Sequence, residues 1–295
     1  MIETGEAVIE RVAVRFGDNA LDNPPGPVAQ ATGFRRRRLA SPGVSLFDFA
    51  MPAAERACAP YSRTDIKAVV FASFSGEYRF PALSVKIASA LGLPPFTAAF
   101  DLQLACSAFP YAVYFASRLA ADLHGKALVV DADLQSRLLD AADQGTSFVM
   151  DDAAAAAVVS HNPAARSSFD FLSSYSEALD CPASGPVKMD GFKVFSFVAS
   201  DVARFLRPFG AEFDMFVPHR ANLYMVRRLA KSLGLEGKLL APEADFANPG
   251  SSSVPATLAL AGRPGRALLA AFGAGFSAAA ATVALPPSFS AEVLN

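Results

Sequence analysis

Two residues of this 295-residue chain combine a reactive side chain with a local setting that suits it. Cys106 lies in Phe100-Asp101-Leu102-Gln103-Leu104-Ala105-Cys106-Ser107-Ala108-Phe109, where an apolar strand-like run gives way to a helix-like one. A cysteine at a helix N-terminus faces unpaired backbone N–H groups and the positive end of the helix dipole, which lower the thiol pKa and favour the nucleophilic thiolate. The same pattern suits a small buried residue filling a tight turn, so both readings stand at this point. His219, one of three histidines, follows Phe213-Asp214-Met215-Phe216-Val217-Pro218 and precedes a helix-like segment that starts near Asn222. It holds in the second half of the chain the place that Cys106 holds in the first. Two strand ends that present reactive side chains to one junction can assemble a catalytic pair from distant residues, although a histidine can equally cap a helix. His124, ahead of Gly125 at an expected helix end, and His161, in a polar stretch, read as surface or capping residues.

The elements that must position these groups emerge from apolar runs bounded by breakers. Strands are expected at Ile9 to Phe16, Ile66 to Ser73, Phe96 to Asp101, Ala127 to Asp131 and Ala153 to Ser160. After the polar stretch His161-Asn162-Pro163-Ala164-Ala165-Arg166 the pattern restarts at Phe169 to Ser174, Phe213 to Pro218, Leu239 to Phe246, Ala267 to Phe272 and Ala279 to Leu285. Helix-like segments lie between them at Pro81 to Leu91, Ala108 to Leu123, Val194 to Arg207 and Leu223 to Leu233. Long apolar strands alternating with amphipathic helices imply an α/β architecture with sheets covered on both faces. The restart implies two similar halves, residues 1–160 and 161–295, packed as one body with the site at their junction.

Composition narrows the function classes. With 52% hydrophobic and 18% charged residues the chain is globular, not disordered or fibrous. Lys and Arg number 26 against 28 Asp and Glu, which provides no global field for nucleic acid or an anionic membrane. Cys58, Cys106 and Cys181 are odd in number and far apart, arguing for a reducing cytoplasm and against disulfides or a metal site. The acidic start, Met1-Ile2-Glu3-Thr4-Gly5-Glu6, does not suit a signal peptide. Ala267 to Leu285 is uncharged and long enough for a membrane span. Its central Gly273, Gly275 and Ser277 favour strand, glycine turn, strand instead.

Three segments in order carry a resemblance: Asp101 to Ala108, Val217-Pro218-His219-Arg220-Ala221-Asn222-Leu223, and Asn248-Pro249-Gly250-Ser251-Ser252-Ser253-Val254-Pro255. With the glycine turn Phe272-Gly273-Ala274-Gly275-Phe276, they resemble the β-ketoacyl-ACP synthase III family of the thiolase superfamily, from about Ile9 to Leu285. The resemblance implies a thiolase-like fold, with two pseudo-symmetric halves that each contain a five-stranded mixed sheet and covering helices, layered αβαβα. It implies a catalytic Cys106, His219 and Asn248; read alone, Asn248 is also a plain Asn-Pro-Gly turn. Backbone N–H groups of Gly273, Ala274 and Gly275 would join that of Cys106 around an oxyanion. The substrate pocket would take Phe195, Asn222 and Phe272, with Phe80 from the partner subunit of a homodimer.

The implied chemistry is transfer of an acyl group from a thioester to Cys106, then decarboxylative condensation with a malonyl thioester, without cofactor or metal. A degradative thiolase carries a second cysteine in its glycine turn, and none lies near Gly273 to Phe276. Departures concern the donor. The family's coenzyme A clamp of one Trp and two Arg is missing: the chain has no Trp, and Ala31 and Gln144 stand where arginines are expected. Tyr224 replaces an arginine that often docks the carrier, although Arg220, Arg227, Arg228 and the run Arg35-Arg36-Arg37-Arg38 offer charge to an acidic acyl carrier protein, or simply form a solvated face. An acyltransferase delivering to a hydroxyl or amine would use Cys106 and His219 without decarboxylation. A non-catalytic subunit paired with an active homologue is the remaining expectation, opposed by the intact triad.

Overall fold

The structure, a computed structural model, describes residues 1–242 and 245–294. Its main sheet has nine strands: β1 (Ile2–Phe16), β2 (Ile66–Ala72), β3 (Ala98–Leu102), β4 (Lys126–Asp133), β5 (Ala153–Ser176), β6 (Met215–Pro218), β7 (Gly265–Gly273), β8 (Gly275–Leu285) and β9 (Ser290–Leu294). The pairing order is β6-β7-β8-β1-β5-β4-β2-β3; β9 adds to β1, and β8 also pairs with β5. The N-terminal half thus builds on β3-β2-β4-β5-β1 and the C-terminal half on β6-β7-β8-β5-β1, with β1 and β5 long enough to serve both.

The strands are apolar on both faces, and alternate residues enter different layers. Ala68 and Val70 of β2 join a central cluster, while Val69 and Phe71 join an outer one. On β7, Ala267, Leu269 and Ala271 face the same central cluster and Leu268, Ala270 and Phe272 the opposite outer one. Helices α1 (Leu46–Cys58) and α2 (Leu83–Ala90) cover the N-terminal side. In the middle layer lie α3 (Ala108–Asp122), inserting Phe109, Ala112, Val113 and Ala116 at helical spacing, and, further along the chain, Ser253–Ala261. The C-terminal side is covered by α4 (Gly191–Phe197), which continues through a π turn to Leu206, and α5 (Leu223–Leu233). The middle helix Ser253–Ala261 is α6. The expected αβαβα layering is therefore present, with the helices that follow the Cys106 and Asn248 motifs both inserted into the central cluster.

Several expected boundaries change. The two strands placed on either side of His161 to Arg166 are one strand, β5, paired with β1 from Phe16↔Ala153 to Ile2↔Phe169. Residues 163–165 bulge out between the pairs Glu6↔Asn162 and Gly5↔Arg166, which accommodates Pro163, a residue with no N–H for the ladder. The residues where the pattern restarts are thus inside a strand and not in a connection. The strand expected over Leu239 to Phe246 reduces, in its described part, to a bridge between Leu239 and Phe216; Glu243 and Ala244 lie outside the described residues. Pro242 interrupts donation there. The apolar run Ala267 to Leu285 is the hairpin β7–β8, and no helix among the described residues is long and apolar enough to cross a membrane. Helix α1, which was not among the expected segments, carries Pro52 in its interior.

Candidate active site

Strand β3 ends at Leu102, and a 3₁₀ turn, Ala105–Ser107, leads into α3. Ala105 has φ +42°, a left-handed conformation that is uncommon for a residue with a side chain, and this sharp turn delivers Cys106 to the middle layer, 8% exposed. Ser107 Oγ donates to Leu104 O (2.9 Å) and meets Ser277 Oγ at 2.7 Å; Ser277 Oγ in turn reaches Ala274 O at 2.6 Å. The cysteine turn is thereby latched to the glycine turn between β7 and β8. The approach is close enough to explain Gly273: a Cβ there would stand 2.7 Å from Cys106 Cβ and 3.1 Å from Sγ. Gly275 (φ +136°) adopts a backbone conformation that side chains disfavour. Gly273→Ala is expected to displace Cys106 and reduce its acylation by an acyl thioester roughly 10²-fold, with far-UV circular dichroism unchanged. Wild-type acylation rates in that variant would refute the contact.

The expected acidification of Cys106 is corrected by its surroundings. Burial pushes the thiol up to about 12, reinforced by the charges of Asp133 and Asp131, and its own N–H opposes this only in part. Desolvation of the side chain and the two nearby carboxylates both act against the thiolate.

His219 follows β6, whose parallel register with β7 (Pro218↔Ala270) sets it beside Phe272, ring centres 5.5 Å apart and edge to face. His219 Nδ1 lies 2.8 Å from Ser253 Oγ, and that oxygen accepts from the Arg220 N–H at 3.2 Å. The contact serves either tautomer; the one in which the Ser253 hydroxyl donates to Nδ1 carries the ring proton on Nε2. Burial lowers the imidazole to about 4, with the Gly250 carbonyl acting the other way, so the ring is neutral at neutral pH. Asn248 is held by its backbone: its N–H donates to Val149 O (2.9 Å), and its carbonyl accepts from Asp151 N–H (2.9 Å) and Gln135 Nε2 (3.0 Å). Its Oδ1 accepts from Gly250 N–H at 3.0 Å, which leaves the side-chain NH₂ as the outward donor. Cys106 against Gly273, Phe272 against His219, and Gly250 between His219 and Asn248 make one buried neighbourhood.

The chemistry-first reading missed Asp131 and Asp133, which protrude from one face of β4. Asp131 Oδ1 accepts from Ser251 Oγ (2.7 Å) and Ser252 Oγ (2.9 Å), and Asp133 Oδ1 from Ser73, Phe74 and Ser75. The alternation of a buried strand offered the only hint. Each Oδ2 is buried without a hydrogen-bond partner. Burial raises Asp131 to about 7, with Asp133 adding, and Asp133 to about 6. A carboxyl raised from 3.8 to about 7 opposes folding as pH climbs through that window. Asp131→Asn keeps the Oδ1 acceptor and removes the charge. Its Tm relative to wild type should therefore rise by several degrees between pH 5 and pH 8; a pH-independent difference would contradict the burial of charge.

The remaining expected pocket residues divide. Phe272 is fully buried against His219. Asn222 Oδ1 caps α5 by accepting from Met225 N–H (2.7 Å), so its acceptor is committed to the helix. Phe195 stacks on Tyr224 (6.2 Å) under Arg228 in the outer C-terminal layer, not beside Cys106. Phe80 is 83% exposed. Arg220, read as a surface charge for a carrier, is instead buried.

Residues 100–178 match the family model for 3-oxoacyl-[acyl-carrier-protein] synthase III, and residues 210–285 match the model of its C-terminal domain. The β-ketoacyl-[acyl-carrier-protein] synthase III 2 of Streptomyces coelicolor is 33% identical over 285 residues, covering 89% of this chain and 86% of the relative. The chain belongs to the 3-oxoacyl-[acyl-carrier-protein] synthase III family. The synthase III of Escherichia coli K12 is 31% identical over 96% of this chain and 98% of its own. Among solved structures, the priming β-ketosynthase of the R1128 polyketide pathway superposes with TM-score 0.88 at 26% identity, covering 98% of this chain and 99% of the other. A 3-oxoacyl-(acyl-carrier protein) synthase from Burkholderia xenovorans reaches 0.90 over 99% and 98% at 24% identity, a likeness of fold. The synthase III family is one of thiolase-fold enzymes, and the layers and motif order described above are those of that fold.

Proposed function

We propose that this protein is a β-ketoacyl synthase III that primes a carrier-bound chain by decarboxylative Claisen condensation, through an acyl-Cys106 intermediate. The observation that carries the reading is the single buried neighbourhood of Cys106, the Gly273 turn, neutral His219 and the Asn248 amide. Cys106 Sγ attacks the acyl thioester carbonyl; the C–S bond to the donor breaks and the donor leaves as its thiol with the cysteine proton. N–H groups of Cys106 and of the turn Gly273-Ala274-Gly275 would hold the tetrahedral oxygen in this reading. A malonyl thioester then loses CO₂, and His219 Nε2–H and the Asn248 NH₂ donate to the enolate oxygen. Two neutral donors stabilise that oxygen without protonating the carbon that must react. The carbon bonds to the acyl carbonyl, the Cys106 C–S bond breaks, and the departing thiolate takes a proton from water to restore the thiol without cofactor.

The donor side supports a carrier protein. Gln30, Gly33, Leu223, Tyr224, Arg227, Arg228 and Lys231 line a cavity of about 450 Å³ whose three cations suit an acidic partner. Ala31 and Gln144 are exposed and bring no charge for free coenzyme A. Three free cysteines, Cys58, Cys106 and Cys181, fit a reducing cytoplasm. The test is intact-mass measurement after incubation with a panel of acyl-CoA and acyl-carrier thioesters: an acyl adduct on Cys106, formed faster from the carrier, is expected. No adduct from any donor would overturn the function.

A homodimer is part of the reading. Strand β3 ends the sheet order, with Phe96 96% and Phe80 83% exposed beside it, an edge that a second copy would cover. Phe80→Ala should shift acylation toward longer or branched chains, since the ring would border the partner's acyl site. An unchanged chain-length profile, or a monomer at micromolar concentration in light scattering, would contradict this.

A further inference from the structure

We propose that Arg220 is the positioning residue that fixes Asn248 for enolate stabilisation, an inference that rests on the function proposed above. Arg220 follows His219 directly but points away from the site and is 4% exposed. Its Nε donates to Ala247 O (3.1 Å), Nη1 to Pro242 O (2.8 Å) and Nη2 to Phe246 O (3.2 Å). All three acceptors lie on the chain that leads into Asn248, and two of them immediately precede it. The guanidinium also lies 4.3 Å from the centre of the Phe246 ring and 5.4 Å from that of Phe34.

The same segment is held from its other side by Asp151, which burial raises to about 7. Asp151 is buried and accepts from Ala247 N–H and from Arg38 N–H (2.8 Å), while its own N–H donates to Asn248 O (2.9 Å). Its attraction to Arg220 partly offsets the burial that lowers the arginine to about 10, so Arg220 remains a cation at neutral pH. Ala247 is thus gripped at both backbone ends, by Arg220 on its carbonyl and Asp151 on its N–H. A planar fork with donors in fixed directions reaches three carbonyls at once, which an ammonium on a flexible stem does not reproduce. Because the Arg220 N–H also bonds to Ser253 Oγ, one residue ties the histidine strand end to both ends of the Asn248-to-Ser253 turn.

A group that acts only on Asn248 should affect one half-reaction. Acylation of Cys106, followed by mass, should fall less than about threefold in Arg220→Lys. Release of ¹⁴CO₂ from a malonyl thioester should fall about 30- to 100-fold, as expected for displacing one oxyanion donor. In an Asn248→Ala background the same Arg220→Lys change should add less than about threefold, since the group it positions is gone. Hydrogen exchange supplies a readout independent of the chemistry: the amides of Ala247, Asn248 and Gly250 should exchange at least tenfold faster in Arg220→Lys, with the 105–108 amides unchanged. Should Arg220→Lys fail to fold, Phe246→Leu weakens the same grip through the ring and should show the same split. Equal losses in both half-reactions, additivity with Asn248→Ala, or unchanged exchange at Ala247, Asn248 and Gly250 would overturn the inference. Absence of CO₂ release by wild type would overturn the proposed function, and the exchange experiment would still decide the role of Arg220.

Discussion

Cys106→Ala is expected to fold and to form no acyl adduct with any thioester, a loss on the order of 10⁵-fold or more in overall turnover. The substitution removes one sulfur from a position already crowded by Gly273, so near-native stability is expected. The other two cysteines provide no substitute: Cys58 is buried in α1, and Cys181 is exposed beyond the end of β5 and outside the Cys106 turn. The environment of the thiol adds a second check. With Cys106 pushed up to about 12 by burial, small alkylating reagents at pH 7 should modify exposed Cys181 first. An acyl adduct retained after Cys106→Ala would end the assignment of the nucleophile.

Asn248→Ala should separate the two halves of the reaction. The amide NH₂ is the outward donor of the Asn248 side chain, and it has no part in the latch between Ser107, Ser277 and Ala274 that sets the nucleophile. Acylation should therefore persist, while malonyl decarboxylation falls about 10²- to 10³-fold, the usual effect of removing one oxyanion donor. His219→Ala should cost at least as much in CO₂ release, since the Nε2–H donor is lost. The measurement is ¹⁴CO₂ release beside intact mass on the same samples. Wild-type turnover without CO₂ from any malonyl thioester would instead favour delivery of the acyl group to a hydroxyl or amine.

Hydrogen bonding explains which elements were legible. The runs that became β2, β4 and β7 are apolar at nearly every position, because helices cover both sheet faces, and they were found within two or three residues. The run Leu239 to Phe246 is equally apolar in part but adjoins only a four-residue strand and contains Pro242, so a local pattern overstated it. Strand β5 was cut in two by polar residues and Pro163, yet its pairing with β1 carries the strand across them. Pairing partners lie far away in sequence, and their presence outweighs local polarity.

By itself the sequence determined the α/β class from its apolar runs, while Cys106, His219, Asn248 and the glycine turn were singled out together by the resemblance to the synthase III family. Residue chemistry alone left Cys106 open to filling a tight turn, His219 to capping a helix and Asn248 to an Asn-Pro-Gly turn, because a local pattern does not say what faces it across the fold. Only the tertiary structure decided the electrostatics. Whether Cys106 is acidified or pushed up depends first on how deeply it is buried and then on the charges of Asp133 and Asp131, more than twenty residues away in the chain. Arg220 looked like a surface cation and is a buried clamp, because three carbonyls from Pro242 to Ala247 accept from its guanidinium. Charge and proton affinity are set by what surrounds a group in space, and that is fixed only when the layers close.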